Sequence, residues 1–230
     1  MVLYSELQDG NNDVVKDIPN ADDFNYYRTD WGEAAAIIGN GTSRLEFSIT
    51  QIPSHIITYG CNGIHRNYPP ITHPYPDYVV AVDKGMVNEI RRGIHSDPNL
   101  CFPLSRLLVP EDNDCWEPAE CNPNRPRMNA GMAAMRFAIN HGKTQLFCFG
   151  FDFLLTTPDQ AVSNIFDGSL NYGPETRANH ADTPGRLHFL NWLTTKHPDV
   201  SFIFVFPENS GVYTLFSTNT LYCTYSNIPW

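Results

Sequence analysis

The residues of this chain best equipped for chemistry stand where apolar runs stop. Gly39-Asn40-Gly41-Thr42-Ser43 ends the run Glu33–Ile38 and offers closely spaced backbone N–H groups, a carboxamide and two hydroxyls. Such a loop can receive an anionic group on its backbone donors. It can equally be a strand-to-helix turn with Thr42 or Ser43 as the N-cap. Asn62, Asp83 and Asp152 each close a further apolar run. Asp152 can serve a ligand or simply bond the backbone N–H groups of a neighbouring loop. His180, in a polar loop beside Asp182-Thr183-Pro184, has an unperturbed pKa of about 6.5 and is available as a neutral base near pH 7. The plainer alternative is a surface or capping histidine. His188 and His197 lie on or beside an amphipathic segment and read as structural. His65, His73 and His95 show no metal-ligand spacing, so no metal site is expected.

The elements that would position these groups follow from hydrophobic pattern. "EAAAIIGN", "HIITYGCN" (His55 to Asn62), "DYVVAVD" (Asp77 to Asp83), "TQLFCFGFDF" and "VSFIFVFP" are near-continuous apolar runs ending in small or polar residues, the pattern of parallel strands covered on both faces. "PLSRLLVP" is a candidate for one more strand. "AGMAAMRFAINHG" has helical spacing, with Asn129 as N-cap and Gly142 as the stop, and "PGRLHFLNWLTTKHP" is a second helix with Pro184 near its start. Strands alternating with helices predict an α/β class, a doubly wound, mostly parallel, Rossmann-like sheet. In such sheets ligands bind beyond the carboxyl ends of the strands, where strand order switches, so Asn40, Asn62, Asp83 and Asp152 are expected to meet in one cleft. The expected organisation is an irregular polar arm over residues 1–30 and one domain over 31–230. Within it, long loops at about 101–128 and 154–184 are candidates for lids or binding loops.

Bulk composition narrows the function. With 15 Lys+Arg against 25 Asp+Glu, the chain lacks the basic excess expected of a protein that coats nucleic acid. No apolar run approaches the roughly 18 residues that span a bilayer, and the first residues show no signal-peptide pattern. The six cysteines form no CxxC pair. Cys61 and Cys148 read as small buried hydrophobes, while Cys115 and Cys121 flank a Pro-rich loop and could bridge. The expected compartment is the reducing cytoplasm.

The ordered set of segments resembles the small bacterial sialyltransferases that use CMP-activated sugars, and the related motility-accessory-factor-like and pterin pyrophosphokinase-like proteins. "IIGNGTSRL" matches their opening strand and G-N-G-P-S-L, with Thr42 in place of the proline. "TYGCNGIHR" supplies the C-N pair as Cys61-Asn62, and "PDYVVAVDKGM" carries Asp83, as in the motility-type pattern. "MNAGMAAMRFAINHGKTQLFCFGFDF" matches the following helix and G-x-D-F strand, with Asn129-Ala130-Gly131 where a hydroxyl-bearing pair is usual. "ANHADTPGRLHFLNWL" and "FIFVFPENSGVYTLF" complete the series with His180 and Pro207-Glu208-Asn209-Ser210.

The resemblance implies transfer of a sugar from a nucleotide donor, a CMP-sugar favoured, to the hydroxyl of a glycan or other acceptor. Inversion would occur by direct displacement with His180 as base and no obligatory metal. It implies that Asn40, Gly41, Thr42 and Ser43 hold phosphate or ribose with Asn62, and that Asp83, Asn129, Gly131 and Asp152 complete the nucleotide site. Of the two loop tyrosines that steady the departing phosphate in that family, the first is matched by Asn164. Tyr172 stands near the second, and Arg177 is a cationic substitute. Two other readings stay open. One is a pyrophosphokinase-like or nucleotide-hydrolysing enzyme in which Asp83 binds Mg²⁺. The other is a non-catalytic binding or assembly module on the same fold. The families often form homo-oligomers, and the short chain with Asn- and Gly-rich loops suggests a virus-encoded enzyme acting in host cytoplasm.

Overall fold

A computed structural model of the chain describes residues 33–67, 76–96, 104–111, 128–155, 162–173, 182–212, 215 and 217–230. The first 30 residues, Cys115, Cys121, Arg177 and His180 lie outside the described residues. Seven strands, β1 (Ala34–Ile38), β2 (Ile57–Cys61), β3 (Tyr78–Val80), β4 (Leu107–Leu108), β5 (Gln145–Phe149), β6 (Ser201–Phe206) and β7 (Thr220–Thr224), form one sheet in the order β4-β3-β2-β1-β5-β6-β7. Every pairing is parallel. Three α-helices are described: α1 (Lys84–Ser96), α2 (Ala130–Asn140) and α3 (Asp182–Lys196). None of them is long and apolar enough to cross a membrane. This is the α/β, Rossmann-like architecture expected from the alternating pattern.

The continuous apolar runs have a direct cause, since all five residues of β1 and all five of β5 are buried. Ala35, Ile37, Leu146, Cys148, Phe202 and Phe204 face a core closed by Met132, Met135 and Ala138 of α2 and by Phe189, Leu190 and Leu193 of α3. The alternate residues Ala36, Ile38, Phe147, Phe149, Ile203 and Val205 face a second core. That core is covered by Met86, Val87 and Ile90 of α1, by Phe47 and by the C-terminal Tyr225, Ile228 and Trp230. Phe47 lies between Phe149 and Tyr225, with ring centroids 4.8 and 5.2 Å away.

Sequence reasoning placed the ends of α2 as found. Asn129 Oδ1 accepts from Met132 N at 2.9 Å, and Gly142 stops the helix with φ of 77°. Four features depart from expectation. Helix α1 and strand β7 were not foreseen, and β3 covers only three residues of the run Asp77 to Asp83. The segment 162–173, expected as open loop, folds into consecutive tight turns. Cys61, Cys148 and Cys223 are free, buried thiols, and burial pushes the Cys61 thiol up to about 12.

Candidate functional site

Strand order reverses direction between β1 and β5: the chain leaves β1 toward β2 and leaves β5 toward β6. A cleft of 620 Å³ lies beyond the carboxyl ends of the strands there. Asn40, Gly41, Asn62, Asp83, Asn129, Gly131, Asp152 and Tyr172 all line it, so the strand ends singled out in the sequence do meet. Thr42 and Ser43 do not line it.

The reason is an internal anion. Ser43 N donates to Asp152 Oδ2 at 2.9 Å, Thr42 Oγ1 donates to the same oxygen at 3.2 Å, and Ser43 Oγ donates to Asp152 Oδ1. Three donors of the Gly39–Ser43 loop, Ser43 N and the two hydroxyls, are thus spent on the chain's own carboxylate, 109 residues away in sequence at its Ser43 contact. The two loops are also bound backbone to backbone, with Gly39 N donating to Phe149 O at 2.8 Å and Gly41 N to Gly150 O at 3.0 Å. Gly41 is glycine because of this approach: a Cβ there would overlap the Asp152 carboxylate and lie 2.6 Å from Gly150 O. Behind the loop, buried Arg44 donates from Nε to Gly39 O at 2.9 Å, and Tyr225 Oη donates to Ser43 O at 2.9 Å.

The neighbouring wall differs. Asn40 Nδ2 donates to Cys61 O at 2.9 Å and to Tyr172 Oη at 3.3 Å, tying the β1 end to the β2 end. Asn62, in the left-handed region with φ of 47°, donates from Nδ2 to Asp83 Oδ2 at 3.3 Å. The remaining oxygens, Asn40 Oδ1 and Asn62 Oδ1, are buried and meet no donor among the described residues. Leaving such an acceptor unmet costs about 1–3 kcal/mol each. Tyr172 Oη accepts from Asn40 Nδ2 and from Gly63 N at 3.2 Å, and burial raises its pKa to about 12, keeping it protonated.

The segment 162–173 roofs this wall. An isolated antiparallel bridge joins Asn164 to Gly41, and Ile165 N donates to Asn40 O at 2.9 Å. Arg66 is the clamp on its far side. It binds Glu89 of α1 through Nε and Nη2, both at 2.6 Å, and donates to Ser169 Oγ and Leu170 O, again at 2.6 Å. Its guanidinium lies 5.6 Å from the Phe166 ring centre and 5.5 Å from that of Tyr172. Asn171 Nδ2 adds a 2.7 Å bond to Glu89. Burial works against ionisation of Glu89, but its bonds to Arg66 and Asn171 more than offset that and hold the carboxyl below its ordinary value. His65, with Nε2 3.3 Å from Glu89 Oε1, is held below its ordinary pKa by burial. None of these clamp residues was recognisable beforehand.

The opposite wall supplies donors. Asn129, Ala130 and Gly131 bring the first turn of α2 to the cleft. There the Ala130 and Gly131 N–H groups have no acceptor among the described residues, which suits a bound anion. Gly131 also lies close under Phe151, where a Cβ would approach the ring to 3.0 Å. Arg186 of α3 lines the same side, its guanidinium 5.7 Å from the Phe153 ring centre. No group of three or more His, Cys, Asp or Glu side chains able to hold a metal ion occurs among the described residues. Compared with known proteins, the chain matches no family model, no curated protein and no solved structure.

Proposed function

We propose that the chain is a nucleotide-sugar-dependent glycosyltransferase of the sialyltransferase-like kind, with a CMP-sugar the favoured donor and a hydroxyl of a glycan or other molecule the acceptor. The observation that carries the reading is a cleft with two chemically unlike ends at the switch point of a parallel sheet. One wall is lined by the carboxamides of Asn40 and Asn62 and by the exposed carboxylate of Asp83. The other presents the first turn of α2 and Arg186. A ligand that carries hydroxyls at one end and an anionic phosphate at the other satisfies both, and a nucleotide has that form. Asp83, exposed at the start of α1, suits a ribose hydroxyl better than a phosphate, which its charge would repel. The roof segment gives Tyr172, and the resemblance adds His180 as base and Arg177 as phosphate partner. Three buried free thiols accord with action in a reducing cytoplasm.

The test is thermal stability in the presence of CMP, UDP, GDP or ATP, with and without Mg²⁺, followed by release of CMP from a CMP-sugar. Metal-independent stabilisation by CMP together with CMP release supports the reading. Stabilisation by ATP only with Mg²⁺ would transfer the site to phosphoryl chemistry centred on Asp83. A folded protein unmoved by millimolar nucleotide would be a binding or assembly module.

A further inference from the structure

The chain holds two Asn-Gly dipeptides, Asn40-Gly41 and Asn62-Gly63, and both stand at the cleft. Asn-Gly is the pair most prone to spontaneous deamidation, because glycine puts no side chain in the way of its own amide nitrogen. That nitrogen loses its proton and attacks the asparagine Cγ. The carboxamide nitrogen leaves as ammonia, a five-membered succinimide forms, and water opens it to aspartate or isoaspartate. Water is the only other reactant, and the glycine nitrogen must be free to swing onto Cγ.

In neither pair is that nitrogen free. Gly41 N donates to Gly150 O at 3.0 Å, a bond within the joined β1 and β5 loops. Gly63 N donates instead to a side chain of the roof, Tyr172 Oη, at 3.2 Å. The roof also lies directly on Gly63: a Cβ there would come within 3.0 Å of the Phe166 ring and 3.2 Å of the Tyr172 ring, both of them buried. Asn62 has the left-handed backbone, with φ of 47°, that asparagine tolerates better than most residues. The labile pair is therefore built in, since the backbone at 62 suits asparagine and the roof crowds any side chain at 63. The two locks differ: one belongs to the loops of the sheet, the other to a turn segment held on its far side by Arg66.

We infer that Asn62-Gly63 is a deamidation site that the closed roof holds in check, and that loosening the roof opens it while Asn40-Gly41 stays shut. Conversion replaces the Asn62 amide that donates to Asp83 by a carboxylate, setting two like charges together in the cleft wall. No nucleotide enters this chemistry, so it holds whether or not the chain is a transferase.

Peptide mapping by mass spectrometry, after incubation at mildly alkaline pH, follows both asparagines at once, and enzymatic methylation of isoaspartate marks the product. In guanidinium chloride both pairs should convert rapidly. In the folded chain conversion at Asn62 should be about 30-fold slower or more, since it proceeds only through local opening. Tyr172→Phe removes the acceptor of Gly63 N and should raise conversion at Asn62 about fivefold to tenfold, the worth of one neutral hydrogen bond, with Asn40 unchanged. Arg66→Ala, which frees the roof at its far side, should likewise raise conversion at Asn62 and not at Asn40. Asn62 converting as fast folded as denatured, or slowly in both, overturns the inference. So does a rate at Asn62 that either folded variant leaves unmoved. An equal rise at Asn40 and Asn62 would put the effect in the whole fold and overturn it as well.

Discussion

Beyond the carboxyl end of β1, Ser43 N and the hydroxyls of Thr42 and Ser43 close on the Asp152 carboxylate. At the carboxyl end of β2, Asn62 holds Asp83 with its amide nitrogen and leaves its oxygen unmet, on a left-handed backbone. Both ends are small, polar and preceded by a buried strand, yet one is closed on the chain's own carboxylate and the other keeps an acceptor unmet. What separates them is the accounting of hydrogen-bond partners: a satisfied polar cluster stabilises the apo fold, whereas an unsatisfied one lowers its stability and gains from a ligand.

The sharpest way to break that contrast is at the closed end. Gly41→Ala sets a methyl group against the Asp152 carboxylate and Gly150 O, neither of which can yield without parting β1 from β5. The expected loss is about 3 kcal/mol or more, read as a drop in the midpoint of urea unfolding. Unchanged stability would show that the loops are not packed as described. Asp152→Ala follows, at about 3 kcal/mol, since it strands the Ser43 N–H and hydroxyl in a buried place and releases the more exposed Thr42 hydroxyl. Asn62→Gly is the matched control. It removes an unmet acceptor and a left-handed side chain, so apo stability should move by less than about 1 kcal/mol. Equal losses from Asp152→Ala and Asn62→Gly would erase the distinction between the two ends.

That distinction lies beyond what the sequence displays. The strands were legible because burial on both faces makes them continuous apolar runs, and the polar residues ending them marked the cleft. Helix α1 escaped because its buried stripe is only Met86, Val87 and Ile90 among charged residues, beginning directly after a strand. Strand β7, at the sheet edge, mixes Thr220, Leu221 and Tyr222, all half-buried, and lacks the run of its neighbours. The pairing of Asp152 with Ser43 depends on β1 and β5 lying side by side, and no local spacing encodes which strands become neighbours. Whether Asn40 or Asn62 has partners for every atom is likewise a property of the assembled wall.

A smaller effect is expected from the clamp that holds the roof over the open end. Arg66→Ala removes a bidentate bond to Glu89, two bonds to the roof and the contact with the Tyr172 ring. Because Arg66 and Glu89 are partly exposed, global stability should fall by only about 1–2 kcal/mol. Hydrogen exchange in 162–173 should rise well before the sheet is affected. Arg66→Lys should not restore protection, as an ammonium cannot span both Glu89 oxygens and the roof carbonyl. Exchange that rises equally in the sheet and in the roof would make the clamp a general stabiliser rather than a hold on this segment.

The smallest effect is a pH dependence of the same clamp. His65 touches Glu89 and Asn62 O and lies beside Arg66, and its folded pKa is lowered by burial from 6.5. A depressed folded value means the unfolded state takes the proton first. The contribution of His65 to stability is therefore complete above pH 6.5 and is lost as pH falls toward the folded value. Glu89, also lowered, acts in the same sense but only below its ordinary 4.5. Exchange in 162–173 should consequently rise, after correction for its intrinsic pH dependence, between pH 7 and pH 5.5, before the Glu89 window opens, and His65→Gln should flatten that rise. A roof whose protection is level across this range, or a rise that survives His65→Gln, would remove the histidine from the clamp and leave Arg66 and Glu89 as its whole electrostatic content.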